Sequence, residues 1–192
     1  MSIAKIRLAG DVGEVKNQFN RGLALVDTDT VGVSDHAVLE IHAISQLATT
    51  AQHVDRHNEL RQLVQNDEVP PVIIRPSGLL QRRFDAIGLN ICELLRESTG
   101  REPVSVEDGY ILWYLQPGDS LAEHRDDSSG YGMRIGMPLG GLALFQASNH
   151  KQGILGSPSM IVQNLQSPIA HGATNITPGR KVAIWDIETK SG

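Results

Sequence analysis

The chain has 192 residues, 40% of them apolar and 20% charged, with a formal charge of -5 and one cysteine, Cys92. That length bounds one sizeable domain with its own core. The acidic balance, with no basic stripe, argues against a nucleic-acid partner, and a lone cysteine excludes an internal disulfide and suits a reducing compartment. No stretch reaches the roughly 18 to 20 consecutive apolar residues of a membrane span, and Met1 to Leu8 lacks the apolar run of a secretion signal, so a cytoplasmic protein without a membrane segment is expected.

Residues 1 to 33 carry short apolar runs, Ile3 to Leu8 and Leu23 to Val26, separated by Gly10, Gly13 and Gly22, and read as short strands and turns or a loosely structured entry. From Ser34 the pattern turns helical. Ser34 is a suitable N-cap, Asp35 complements the helix dipole, and Val38, Ile41, Ile44 and Leu47 or Ala48 recur at helical spacing. A second helix is expected over roughly Ala51 to Val64, ended by Pro70 and Pro71, and Val72 to Ile74 then forms a short strand. Phe84, Ile87, Ile91, Leu94 and Leu95 make the clearest helical stripe, closed by Gly100 as a C-cap.

After Pro103 the texture switches to strands: Gly109 to Leu115, Met133 to Leu139, Leu142 to Ala147, Ser159 to Asn164 and Lys181 to Ile187, with Pro-Gly and Gly-Gly turns between them. Residues 1 to 103 therefore read as largely helical support and residues 104 to 192 as a jelly-roll or barrel core, together one mostly β domain with flanking helices. Asp127 to Gly132 and Ser148 to Ser157 are expected as loops on the outer wall of a pocket.

The chemistry concentrates in the second half. His124 and Asp126 stand two apart, so on a strand both point the same way, whereas Asp127 falls on the opposite face. With His171 they make a facial two-histidine, one-carboxylate set for Fe(II), which leaves three positions for a bidentate 2-oxo acid and O2. Such a cosubstrate carries a second carboxylate, for which a buried arginine is the natural partner; Arg180 and Arg134 are the candidates. His53 and His57 have zinc-like i, i+4 spacing, but Val54 stands where a metalloprotease would have its glutamate, and charged neighbours mark a solvated helix face. His36, His42 and His150 show no partner pattern. There is no nucleophile elbow and no phosphate-binding glycine loop, and Cys92 lies in a helical stripe as a small buried hydrophobe.

Tyr114-Leu-Gln-Pro-Gly-Asp-Ser-Leu-Ala-Glu-His-Arg-Asp126, Met133-Arg-Ile-Gly-Met-Pro-Leu139 and His171-Gly-Ala-Thr-Asn-Ile-Thr-Pro-Gly-Arg-Lys-Val-Ala-Ile-Trp-Asp186 together resemble the Fe(II)/2-oxoglutarate dioxygenases, most closely the aspartyl/asparaginyl β-hydroxylase group. The resemblance covers about the last 80 residues. It implies a double-stranded β-helix (a cupin-like jelly roll), with Fe(II) bound by His124, Asp126 and His171, Arg180 on the far carboxylate of 2-oxoglutarate and Arg134 as a further cosubstrate contact. Gly136 departs from the pattern, standing where the group has a histidine, which opens space near the cosubstrate or the substrate. The expected activity is hydroxylation of an amino acid, free or in a peptide. Two alternatives stand beside it: a prolyl 4-hydroxylase-like enzyme, whose group favours a tyrosine in the strand that here holds Trp113 and Tyr114, and a cupin-like module that binds metal without turnover. Tyr131, Arg125 and His150 are candidate substrate contacts.

Overall fold

Asp11 opens a helix that the glycines around it conceal in the sequence. Its side chain accepts the Glu14 N–H at 2.8 Å, and Val15 and Phe19, four residues apart, are fully buried. This helix, α1 (Val12–Asn20), replaces part of the expected strand-and-turn segment, because Gly10 and Gly13 flank a cap instead of marking turns. The computed structural model describes residues 5–51, 71–115, 119–126, 132–174 and 176–191. Within them β1 (Leu23–Asp27) and a short 3-10 turn precede α2 (Asp35–Ala51). Ser34 Oγ accepts the Ala37 N–H at 3.2 Å, and Ile41, Ile44 and Ala48 are buried while Leu47 stays exposed. The helix expected up to Val64, with His53 and His57, lies from residue 52 on outside the described residues.

β2 (Val72–Ile74), α3 (Gly78–Leu94) and α4 (Arg96–Thr99) follow. Eight further strands complete the described chain: β3 (Arg101–Trp113), β4 (Leu121–His124), β5 (Met133–Pro138), β6 (Leu142–Ala147), β7 (His150–Gly156), β8 (Ser159–Asn164), β9 (His171–Thr174) and β10 (Lys181–Ser191). β3 and β10 run further than their apolar residues suggest, pairing from Lys181↔Trp113 out to Ser191↔Arg101. Their outer halves are rich in charge, and Val104, Val106 and Ile187 are their few apolar residues. The expected loop over Ser148 to Ser157 is corrected: only Ser148 and Asn149 turn, and His150–Gly156 is a strand paired with β6. As an edge strand holding Lys151, Gln152 and two glycines, β7 lacks the composition that identifies a buried strand.

Among the described residues ten strands form two antiparallel sheets, one in the order β1-β8-β5-β10-β3-β2 and the other β4-β9-β6-β7. From β3 on the chain winds between them, and that crossing pattern is a double-stranded β-helix. The helices cover the outer face of the larger sheet. Trp185 of β10 stacks on Phe84 of α3 at 4.6 Å and donates its indole N–H to the Phe84 carbonyl at 2.9 Å. Gly88 makes this contact possible, since a Cβ there would lie 2.4 Å from the Trp185 ring. Burying side chains of this size is worth about 2 to 3 kcal/mol each, so this face anchors the sheet that carries half of the pocket.

On the inner face, cross-strand register arranges side chains in transverse rows. Gln163, Arg134, Asp186 and Asp108 form a polar row across β8, β5, β10 and β3. Ile161, Gly136, Ile184 and Tyr110 form the next, and Pro138, Val182, Leu112 and Ile73 the one beyond. Between the sheets lies a cavity of about 680 Å³, within the range of small-molecule sites.

Candidate metal centre

β4 and β9 meet at Leu121↔Ala173 and His124↔His171, three steps on β4 against two on β9. The extra residue is a bulge. In a regular strand Leu121 and His124 would face opposite sides; the bulge resets the alternation, and both line the cavity. It also makes His124 the cross-strand partner of His171, with ring centroids 4.5 Å apart. Gly172 permits the bulge to lie close: a Cβ there would stand 2.9 Å from the Leu121 carbonyl oxygen and 3.1 Å from the Glu123 backbone.

The shared strand face expected for His124 and Asp126 is corrected, because β4 ends at His124. Asp126 reaches the same point from the segment after the strand, and its carboxylate is 8% exposed. His124 Nε2 lies 3.6 Å from one Asp126 oxygen and His171 Nε2 3.5 Å from the other. All three donor atoms lie within 4.8 Å of one another. Both rings present the same nitrogen for the same reason: His124 Nδ1 donates to the Ala122 carbonyl at 2.8 Å and His171 Nδ1 to the Ile169 carbonyl at 3.2 Å. With Nδ1 protonated, a neutral ring offers its Nε2 lone pair inward, the tautomer a metal ligand needs.

Electrostatics keep the carboxylate charged. Burial by itself would raise the Asp126 carboxyl, but the adjacent His124 imidazole, the Arg134 guanidinium and the His171 imidazole outweigh it and hold it well below the usual range. Burial pushes His171 down toward its neutral form. For His124 burial also acts downward, but the nearby Asp126 carboxylate and the Ala122 carbonyl outweigh it and raise its pKa, so a metal would displace a proton from Nε2. Donors set about 2.1 Å from one ion at right angles would be about 3 Å apart; the three donors here lie somewhat wider, and their residue types and convergence fit a metal ion that draws them together.

Arg134, expected to contact a cosubstrate, spends its guanidinium on protein carboxylates. Its Nε and Nη2 meet the two Asp186 oxygens at 2.5 and 2.9 Å, and its Nη1 meets Asp126. Asp186 and Gln163 were not singled out from the sequence. The signal for Asp186 was there, since it shares a strand face with Val182 and Ile184, and an acid on an apolar face implies a buried partner. Gln163 brings its amide nitrogen to within 2.9 Å of His171 Nε2.

Arg180 is buried on the cavity wall. Its Nη1 donates to the Leu155 carbonyl at 3.1 Å, and among the described residues no carboxylate forms an ion pair with it. Burial pulls its guanidinium below the ordinary value. Of the two aromatic residues ending β3, Tyr114 lines the cavity, its phenol pushed up to about 12 by burial, while Trp113 stacks under the Lys181 ammonium at 5.2 Å. Gly136 also lines the cavity, and the room left by its missing side chain is partly taken by Ile184, whose Cδ1 would lie 3.3 Å from a Cβ there. The rim carries Arg125, which is exposed, and the Arg75–Asp108 ion pair at 2.7 Å. His150 is not part of this wall; its Nε2 donates to the Leu23 carbonyl at 3.0 Å. Asp127 and Tyr131 lie outside the described residues, and His36 and His42 belong to α2 on the helical side.

No family model matches the sequence, and no curated protein matches it. Solved structures match the fold. An oxidoreductase of the 2OG-Fe(II) oxygenase family from Burkholderia pseudomallei is 11% identical with a TM-score of 0.66, over 100% of this chain and 97% of that one. A prolyl hydroxylase from Trichoplax adhaerens, solved with a hypoxia inducible factor peptide fragment, is 11% identical with a TM-score of 0.61, covering 91% and 87%. The non-heme alpha ketoglutarate dependent epimerase SnoN from nogalamycin biosynthesis is 12% identical with a TM-score of 0.64, covering 92% and 81%. These likenesses establish the double-stranded β-helix.

Proposed function

We propose that the protein is a non-haem Fe(II)/2-oxoglutarate-dependent dioxygenase that hydroxylates an unactivated C–H of an amino acid, free or within a peptide. The observation that carries this reading is the convergence of two inward Nε2 atoms and one ionised carboxylate in a buried cavity that also holds Arg180. His124, His171 and Asp126 would hold Fe(II), which, with 2-oxoglutarate and O2, supplies the oxidising power to turn R–H into R–OH with release of succinate and CO2.

The chain's own residues bind and orient. Arg180 offers a buried cation to the distal carboxylate of the cosubstrate, a role a passive metal store does not require. Arg134, fixed by Asp186, holds the Asp126 carboxylate in place as a positioning residue. Between the polar row and Arg180, Ile184, Val182 and Leu112 make an apolar stretch suited to a methylene chain and to keeping water from the reacting centre.

The solved neighbours include a prolyl hydroxylase in complex with a peptide fragment, and Tyr114 on the cavity wall favours a prolyl 4-hydroxylase-like specificity as a second reading beside the aspartyl/asparaginyl one. Succinate formation by protein given Fe(II), 2-oxoglutarate and O2, measured against free amino acids and short peptides including proline, asparagine and aspartate, tests the proposal. Succinate that rises with one substrate class supports it and separates the two specificities. Tight iron binding with no succinate under any condition would leave a non-catalytic jelly roll.

Gly172→Ala is expected to weaken metal binding about 10- to 100-fold, the range seen when a ligand loses its support. The added methyl meets backbone, which does not yield without moving β4 and His124. A Mn(II) titration checks this, with circular dichroism confirming that the fold persists.

A further inference from the structure

Gln163 is 6% exposed and stands beside Arg134 in the polar row, yet the proposed chemistry gives it no task. Its surroundings define one. The Ile169 carbonyl can only accept, so His171 Nδ1 carries the proton and Nε2 the lone pair. The Gln163 group facing that lone pair at 2.9 Å must therefore donate, which fixes the amide with its nitrogen toward the ring. The same lone pair is the one a metal would take. A lone pair serves one partner, so the Gln163–His171 hydrogen bond and a metal–His171 bond are alternatives.

The other half of the amide points to the same conclusion. Gln163 Oε1 is buried with no hydrogen-bond partner among the described residues, and a buried unmet acceptor costs stability unless something satisfies it. It belongs to a residue lining the cavity beside the metal ligands.

We infer that Gln163 is a positioning residue with two states: its amide N–H holds the His171 lone pair in the metal-free protein and, released on metal loading, engages an oxygen ligand at the metal. The amide N–H then donates to a carboxylate oxygen of 2-oxoglutarate, and Oε1 accepts from bound water. Metal and cosubstrate are coupled through this one side chain: metal binding breaks a hydrogen bond, and cosubstrate binding replaces it. The inference rests on the metal reading above and adds a residue to it.

Gln163→Leu removes donor and acceptor at similar volume, and Gln163→Met does so with a more adaptable chain. Free Mn(II) measured by electron paramagnetic resonance reports metal binding; calorimetry with 2-oxoglutarate on the Mn(II)-loaded protein, without oxygen, reports the cosubstrate. Both variants are expected to bind Mn(II) alone about three- to tenfold more tightly and 2-oxoglutarate about three- to tenfold more weakly, the scale of one hydrogen bond. These opposite signs distinguish the inference from a packing role, in which both affinities and the melting temperature fall together; that result would overturn it. Wild-type-like values for both ligands in both variants would overturn it as well. A wild-type protein that binds no Mn(II) would instead overturn the metal reading itself.

Discussion

Asp126→Ala is expected to lower Fe(II)- and 2-oxoglutarate-dependent turnover by more than about 100-fold, beyond the usual effect of losing an outer-shell partner, and to leave a folded protein. Asp126 is the only carboxylate among the three converging donors, and its two oxygens face His124 Nε2 and His171 Nε2 separately. Without it two neutral imidazoles remain, too few donors and no charge to offset a dication. The fold survives for a reason visible in the polar row. Arg134 loses one partner but keeps the two-point bond to Asp186, so its buried guanidinium is not stranded. The cost to stability is about 1 to 3 kcal/mol, that of one charged hydrogen bond. Metal titration, succinate yield and a thermal melt check the three parts. A variant that unfolds outright would mark the cluster as a structural ion network instead of a metal centre, and His124→Ala provides the same comparison from the other donor type.

Arg180→Met should separate stability from function. In the wild type a cation is buried where no carboxylate among the described residues pairs with it, and one backbone carbonyl is its recorded hydrogen-bond acceptor. Holding a charge in that state is costly. An apolar side chain of similar length removes the cost, and the variant is expected to melt higher, by about 1 to 4 kcal/mol in stability by analogy with buried ions replaced by hydrocarbon. Its affinity for 2-oxoglutarate is expected to fall at least about 30-fold, because on the proposed reading the distal carboxylate would lose a buried charged partner. Mn(II) affinity without cosubstrate should change little. A more stable protein that no longer takes its cosubstrate is the signature of a strained residue kept for function. A variant with lower stability and unchanged cosubstrate affinity would show that Arg180 serves packing.

Much of this was legible in the sequence because ligand chemistry and strand periodicity constrain one another. His124, Asp126, His171 and Arg180 are found from residue type and order, and all four line one cavity. The route to His124 and Asp126 was wrong in detail, since a bulge and a strand end, not a shared strand face, bring them together. A bulge is one residue of register set by pairing with a distant strand, and the local pattern does not encode it. α1 was hidden because Gly10 and Gly13 are common to turns and to helix starts, and only Asp11, Val15 and Phe19 taken together decide between them. Gln163 left no trace because its meaning depends on His171, which reaches it across the cavity from the other sheet.

β4 is an edge strand of four residues, and register with its single neighbour β9 is recorded at two positions, Leu121 and His124. So short a seam has little local cooperativity, and its amides belong to the part of the molecule that opens first under native conditions. A metal bound by His124 on this strand and His171 on the next acts as a rivet across the seam. Occupancy of the centre would then be written in the hydrogen-exchange rates of β4 and β9, slowed by ligand binding to the closed form, while the α3-backed core around Trp185 exchanges as before.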